Sequence, residues 1–294
     1  MAARTAVRRF RPPEGRTEEI RDTGLVGRLF LPEGSGPFPG VVILGGSEGG
    51  LSGSEIAAVL SAHGFAALAL AYFQMPGLPG SLREIPLEYF DRAITVLLGL
   101  STVRKGGVSL VGTSKGAEAA LVVAAGSQSV LAVAALAPSS VVWSCICDDP
   151  ERGSWSRAGK PITFVPQCSD PSYRPPPQFP FSPAVNYEYR LRDREAGEKA
   201  AIPVEQIRGP VFLVAGERDG IWPSAAMARS IEQRRRRYGC SPRDETHVYA
   251  GAGHFIGLPN LPAGATIASL RAASESGSPK RRGAHQCSDR ETDP

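Results

Sequence analysis

Residues 107–117 read GVSLVGTSKGA. An apolar run climbs to Gly112, Ser114 stands between two glycines, and small residues follow. Gly112-Thr113-Ser114-Lys115-Gly116 is a G-x-S-x-G motif, and the alanine-rich stretch KGAEAALVVAAG begins inside it. This context predicts a buried strand, a sharp turn and a helix, with the serine hydroxyl lifted to the carboxyl edge of a sheet. A turn that merely requires small residues is the plainer reading. A nucleophile is the sharper one.

Working outward, LVGRLFL (25–31) reads as a strand with some alternation, whereas VVILGG (41–46), FAALALAY (65–72), VLAVAALAP (130–138) and the start of GPVFLVAGERDG (209–220) are continuous apolar runs. Such runs suit strands buried on both faces. Between them lie helical patterns at 54–63, 87–100, 115 onward and 224–237. The alternation predicts an α/β fold: a mostly parallel sheet with helices on both faces. Residues 139–207 break the rhythm and are expected to form a Pro-rich insertion over the sheet, with a short strand possible only at PITFVP (161–166). The expected organisation is a partly disordered extension at 1–24, one domain at 25–272 and a disordered tail at 273–294. That tail contains no Leu, Ile, Val, Phe, Tyr, Trp or Met.

A serine nucleophile needs a base. Of four histidines, His63 ends a helix, His247 opens the last strand and His285 lies in the tail. His254, in the loop sequence GAGHF after the last strand, is the candidate base, and the order serine, acid, histidine suits this class of fold. Asp219, after the strand at 209–216, is the candidate for orienting the imidazole, with Glu217 as fallback. The same aspartate also suits an Asx-turn. The oxyanion donors expected are the backbone N–H of Lys115 and one near Ser47 in GGSEGG (45–50). That loop lacks G-K-[ST] and does not match G-x-G-x-x-G, so no phosphate cradle and no cofactor are expected.

Composition narrows the remaining classes. The net charge is only +4, and the basic runs Arg234–Arg237 and Lys280–Arg282 are local; the first reads as a helix C-terminus, not a nucleic-acid surface. The five cysteines are an odd set without a secretory signal, which predicts no disulfide framework and a reducing, cytoplasmic setting. Cys145 and Cys147 form C-x-C with no second pair or nearby histidine, so no metal site is expected. No apolar run is long enough to span a membrane.

With these residues assembled, the chain resembles a known family. The blocks PFPGVVILGGSEGG, GFAALALAYF, LEYFDRAITVLL, VSLVGTSKGAEAAL, IRGPVFLVAGERDGIWPS and GAGHFIGLPNLP look like the catalytic domain of the acyl-CoA thioesterase / bile acid-CoA:amino acid N-acyltransferase family, from about Gly36 to Pro262. The resemblance implies an α/β-hydrolase fold, and the family's nucleophile, acid and base fall on Ser114, Asp219 and His254. Members that transfer acyl groups to amino acids resemble ones with a cysteine nucleophile, so Ser114 implies hydrolysis of an acyl thioester by water. A carboxylic-ester or dienelactone-type hydrolase, an N-acyltransferase and an inactive paralogue are the alternatives. Family members carry an N-terminal β-sandwich domain and finish with an amphipathic helix. Here about 35 residues precede the resemblance, an expectation of no such domain, and ASLRAASES starts a helix before the apolar residues stop.

Overall fold

A computed structural model describes residues 16–21, 24–149, 151–166, 183–240 and 242–257. In chain order the elements are β1 (Thr17–Ile20), β2 (Val26–Phe30), β3 (Phe38–Leu44), α1 (Ser54–Ala62), β4 (Ala66–Ala71), β5 (Ile85–Pro86), α2 (Leu87–Gly99), β6 (Val103–Thr113), α3 (Lys115–Gly126), β7 (Val130–Leu136), β8 (Trp155–Arg157) and β9 (Lys160–Pro161). Then follow α4 (Ala184–Arg190), α5 (Arg194–Lys199), a 3₁₀ turn (Val204–Gln206), β10 (Val211–Gly216), α6 (Ser224–Arg237) and β11 (Glu245–Tyr249).

Eight strands form one sheet in the order β1-β2-β4-β3-β6-β7-β10-β11. The pairs β1/β2 and β2/β4 are antiparallel, and every pair from β4 to β11 is parallel. Alternate residues of the continuous apolar strands go to opposite faces. Val42, Leu44, Leu68 and Leu70 join the large core with α2, α3 and α6, while Val41, Ile43, Ala67 and Ala69 meet Ala57 of α1 on the other face. That division explains why β3 and β4 carry no polar alternation: both faces are covered by helices.

Three features differ from the sequence expectations. Thr17–Ile20 adds an edge strand upstream of residue 25, because its polar side chains need only half burial beside β2. In the insertion the expected strand at 161–166 does not form as one piece: Pro161 joins Lys160 in a short strand that completes a small sheet β5-β8-β9, and Val165 makes a separate bridge to Trp143. Cys145 and Cys147 are joined by a disulfide, contrary to the expectation of none; the C-x-C spacing brings the two thiols together in a tight turn. The tail at 273–294, the ASLRAASES stretch and most of the Pro-rich segment lie outside the described residues.

The arginine run closes α6 as expected, with Gly239 at positive φ just beyond it. Its buried member has a larger role. Arg235 pairs with Asp244 through Nε (2.8 Å) and Nη2 (3.0 Å), and its guanidinium also donates to the carbonyls of Ile207 (3.0 Å) and Gly209 (2.9 Å). Asp244 in turn accepts from the Val211 N–H (2.9 Å), so one guanidinium ties α6 to the start of β10. Arg235→Ala leaves Asp244 without its cation and those carbonyls without their donor, and is expected to lower stability by about 3–5 kcal/mol in urea unfolding.

Candidate active site

Two glycines make the turn at Ser114 possible. A Cβ on Gly112 would lie 2.2 Å from the carbonyl oxygen of Gly116, and one on Gly116 would lie 2.2 Å from the carbonyl oxygens of Leu44 and Gly45. The end of β6, the start of α3 and the loop after β3 therefore touch through bare backbone. Ser114 takes φ +55° and ψ −121°, a conformation that side chains rarely adopt and that costs about 1–3 kcal/mol. Its N–H is held by the Leu136 carbonyl (2.9 Å) at the end of β7.

The structure brings Ser114, His254 and Asp219 together. The Ser114 Oγ lies 2.8 Å from His254 Nε2, and His254 Nδ1 lies 2.9 Å from each Asp219 oxygen. All three are nearly withdrawn from solvent, at 8%, 6% and 9% exposure. Asp219 is fixed by the turn that follows β10: the Ile221 N–H (2.9 Å), the Trp222 N–H (3.2 Å) and the Ser224 hydroxyl donate to its carboxylate. The His254 loop rests on Gly216, where a Cβ would come within 2.4 Å of the Ala252 carbonyl. The Trp222 ring stands edge-on to the imidazole at 5.8 Å, and its indole N–H donates to Ala137 O (3.2 Å). Such a line of groups can move a proton from a hydroxyl to an imidazole whose far side faces a carboxylate.

The other candidates separate cleanly. Glu217 points away and pairs with Arg229 (2.9 Å). His63 caps α1, its Nδ1 2.7 Å from Val59 O, and exposed His247 meets Glu245 (3.1 Å). His285 lies outside the described residues. Lys115 starts α3, so its backbone N–H belongs to the helical first turn that lacks an intrahelical acceptor. Ser47 is exposed, and Gly46 is the loop residue lying against Ser114: a Cβ there would be 3.3 Å from the serine Cβ. The Gly46 N–H donates to Glu48 Oε1 (3.1 Å). The Tyr72 hydroxyl donates to Gly45 O (2.6 Å); burial, then the Glu48 and Glu118 carboxylates, push that phenol well above its ordinary pKa. Among the described residues no group of three or more His, Cys, Asp or Glu is placed to hold a metal ion, and no helix is long and apolar enough to cross a membrane.

Sequence reasoning missed what lies behind the serine. The Lys115 side chain turns inward, fully buried, and its Nζ lies 2.7 Å from Glu118 Oε1. That oxygen also accepts the Trp155 indole N–H (2.7 Å) and the Trp143 N–H (3.3 Å), both from the insertion. Burial pushes the Lys115 ammonium down and the Glu118 carboxyl up, while each charge holds the other against that trend. The available signal was the i, i+3 pair Lys115/Glu118, the only charges in an otherwise apolar helix.

The comparisons with known proteins follow this geometry. Residues 85–276 match the family described as BAAT / Acyl-CoA thioester hydrolase C terminal. The chain belongs to this family. Among curated relatives, acyl-coenzyme A amino acid N-acyltransferase 1 of Mus musculus is 33% identical over 89% of this chain and 59% of its own length. Acyl-coenzyme A thioesterase 6 of Mus musculus is 31% identical over 87% of this chain and 57% of its own. The chain thus spans less than three fifths of the length of these BAAT/thioester hydrolase relatives. A putative dienelactone hydrolase from Klebsiella pneumoniae superposes with a TM-score of 0.54 at 13% identity, covering 89% of this chain and 95% of that one. Pyrococcus horikoshii acylaminoacyl peptidase gives 0.53 at 12%, covering 88% and 40%. These likenesses show the α/β-hydrolase fold.

The Lys115–Glu118 pair yields a thermodynamic test. Lys115→Met strands a buried carboxylate and is expected to cost about 3–5 kcal/mol. The double variant Lys115→Met/Glu118→Gln should lose less than the sum of the two single losses, by about 1 kcal/mol or more in urea unfolding. Strict additivity contradicts the pairing.

Proposed function

We propose that the chain is a serine hydrolase that cleaves acyl-CoA thioesters to free acid and CoA. The carrying observation is the unbroken hydrogen-bonded line from Ser114 Oγ through His254 to Asp219. In this reading His254 Nε2 takes the proton as Ser114 Oγ attacks the thioester carbonyl. The negative oxygen so formed is met by the N–H of Lys115 and an N–H of the Gly46–Ser47 stretch, once Glu48 yields it. The carbon–sulfur bond breaks, the imidazolium returns its proton to the departing thiolate, and an acyl-serine remains. Water then attacks that ester while His254 again removes a proton, and Ser114 leaves with it. Asp219 orients the imidazole and stabilises its charged form.

A thioester is supported by family membership and by relatives named acyl-CoA thioesterases. Water as the final acceptor is supported by serine standing at the nucleophile position. A second reading, transfer to an amino acid, draws on the similarity to mouse N-acyltransferase 1. A cytoplasmic site of action belongs to the same proposal. Two relatives bear peroxisomal and mitochondrial names.

Thiol release from a panel of acyl-CoAs tests the reading, run beside simple esters and with or without glycine or taurine. Hydrolysis is expected without the amino acid, and Ser114→Ala and His254→Ala should each lower kcat/KM by about 10⁴-fold with the folded state intact. A fluorophosphonate probe should label the wild type and not Ser114→Ala. Labelling that survives in Ser114→Ala, or turnover that needs the amino acid, would overturn the hydrolytic assignment.

A further inference from the structure

The loop after β3 contains a peptide with nothing of its own to orient it. The unit joining Gly45 to Gly46 is flanked by two glycines, so no side chain limits its rotation. A Cβ on Gly45 would lie 1.8 Å from Ser52 Oγ, which keeps that position bare. The direction of the peptide comes instead from Tyr72, the residue that follows β4. Its hydroxyl donates to the Gly45 carbonyl at 2.6 Å, with the Gly46 carbonyl further off at 3.3 Å.

The Gly45–Gly46 peptide is trans, so its C=O and N–H lie in one plane and point opposite ways. A hydroxyl that fixes the Gly45 carbonyl therefore also fixes the Gly46 N–H. That donor already meets an anionic oxygen: it donates to Oε1 of the exposed Glu48 at 3.1 Å. It also belongs to the residue whose Cβ, if present, would lie 3.3 Å from the Cβ of Ser114. Tyr72 itself is held firmly. Its ring is buried and packs on Phe73, Phe90 and Trp155 at 5.2, 5.4 and 5.9 Å. The Phe73 carbonyl accepts the Gly50 N–H (3.1 Å), so the turn after β4 grips both ends of the loop. Burial, then the Glu48 and Glu118 carboxylates, raise the phenol well above its ordinary pKa, and the hydroxyl stays a donor at neutral pH.

We propose that Tyr72 is a positioning residue of the oxyanion hole: through the Gly45 carbonyl its hydroxyl aims the Gly46 N–H at the oxygen that turns negative when Ser114 attacks, a place the Glu48 carboxylate fills in the resting enzyme. The role rests on Ser114 being the nucleophile. Tyr72 acts only through the loop, so its hydroxyl matters most where charge develops on that oxygen, and little in the initial binding of substrate.

The test is the rate at which a fluorescent fluorophosphonate labels the full chain, followed against probe concentration. In that step Ser114 Oγ bonds to phosphorus, His254 takes the hydroxyl proton and fluoride leaves with its bonding pair. Tyr72→Phe keeps the ring and deletes the hydroxyl. It should lower the limiting labelling rate by about 10- to 100-fold, part of the loss that deleting a donor brings, and shift the half-saturating concentration by less than about threefold. Tyr89→Phe is the control. Its hydroxyl makes a bond of the same kind, 2.6 Å to the Ala71 carbonyl, in the same aromatic cluster but not to the loop. Its limiting rate should stay within about twofold of the wild type. Glu48→Ala probes the donor without touching the core: freeing the Gly46 N–H of a carboxylate should raise the limiting rate by about threefold or more. A Tyr72→Phe rate equal to the wild type's overturns the role alone, as does an equal loss in Tyr89→Phe or a Glu48→Ala rate that does not rise. A wild type that takes no label overturns the nucleophile reading, and this role with it.

Discussion

The site depends on a three-way contact between backbones. Gly116 at the start of α3 sits directly on the carbonyls of Leu44 and Gly45, and Gly112 at the end of β6 sits directly on Gly116. No side chain fits at either place. The contact sets how closely α3 can descend on the sheet, and it places the loop after β3 beside Ser114. It also fixes the reversal that leaves Ser114 with positive φ. The strain at Ser114 persists because the surrounding packing determines it on three sides, with the Leu136 carbonyl holding the amide on the fourth. The hydroxyl that emerges has few alternative orientations, and the imidazole meets it at 2.8 Å.

The buried Lys115–Glu118 pair extends that constraint to the insertion. Two charges inside an apolar helix carry a heavy desolvation cost, which their mutual attraction offsets only when further hydrogen bonds join them. Those bonds come from Trp143 and Trp155, and Lys115 Nζ lies 5.4 Å from the Trp155 ring. The insertion is thus anchored to the helix that begins at the serine. From Trp143 the aromatic contacts run through Tyr187 to Trp222 and on to His254, at 4.8, 6.0 and 5.8 Å. The described part of the insertion is packed on the side of the sheet that carries Ser114 and His254.

Much of this was legible in the sequence because its signals are local. Continuous apolar runs marked β3, β4, β7 and β10, glycine and alanine marked the turn and α3, and chain order pointed to Asp219 and His254. What was missed depends on neighbours distant in sequence. Thr17–Ile20 has no apolar pattern and becomes a strand only because β2 offers an edge. The inward turn of Lys115 reverses the usual rule for lysine, and it is offset by Glu118, whose carboxylate the tryptophans of the insertion also bind. Gly46 lies against Ser114 because the loop after β3 rests on Gly116, seventy residues further along the chain.

The choice between Asp219 and Glu217 illustrates why the two readings of one residue need not compete. An aspartate that accepts the N–H groups two and three residues ahead is an Asx-turn, and that is what Asp219 does with Ile221 and Trp222. The shorter side chain is what closes such a turn; a glutamate adds a methylene, and Glu217 instead reaches out to Arg229. Once the turn and the Ser224 hydroxyl hold the carboxylate, it no longer swings, and His254 meets a fixed acceptor. The turn also starts α6 at Ser224, which brings the Trp222 ring against the imidazole. The structural role is therefore the means by which this carboxylate is held in position for the histidine.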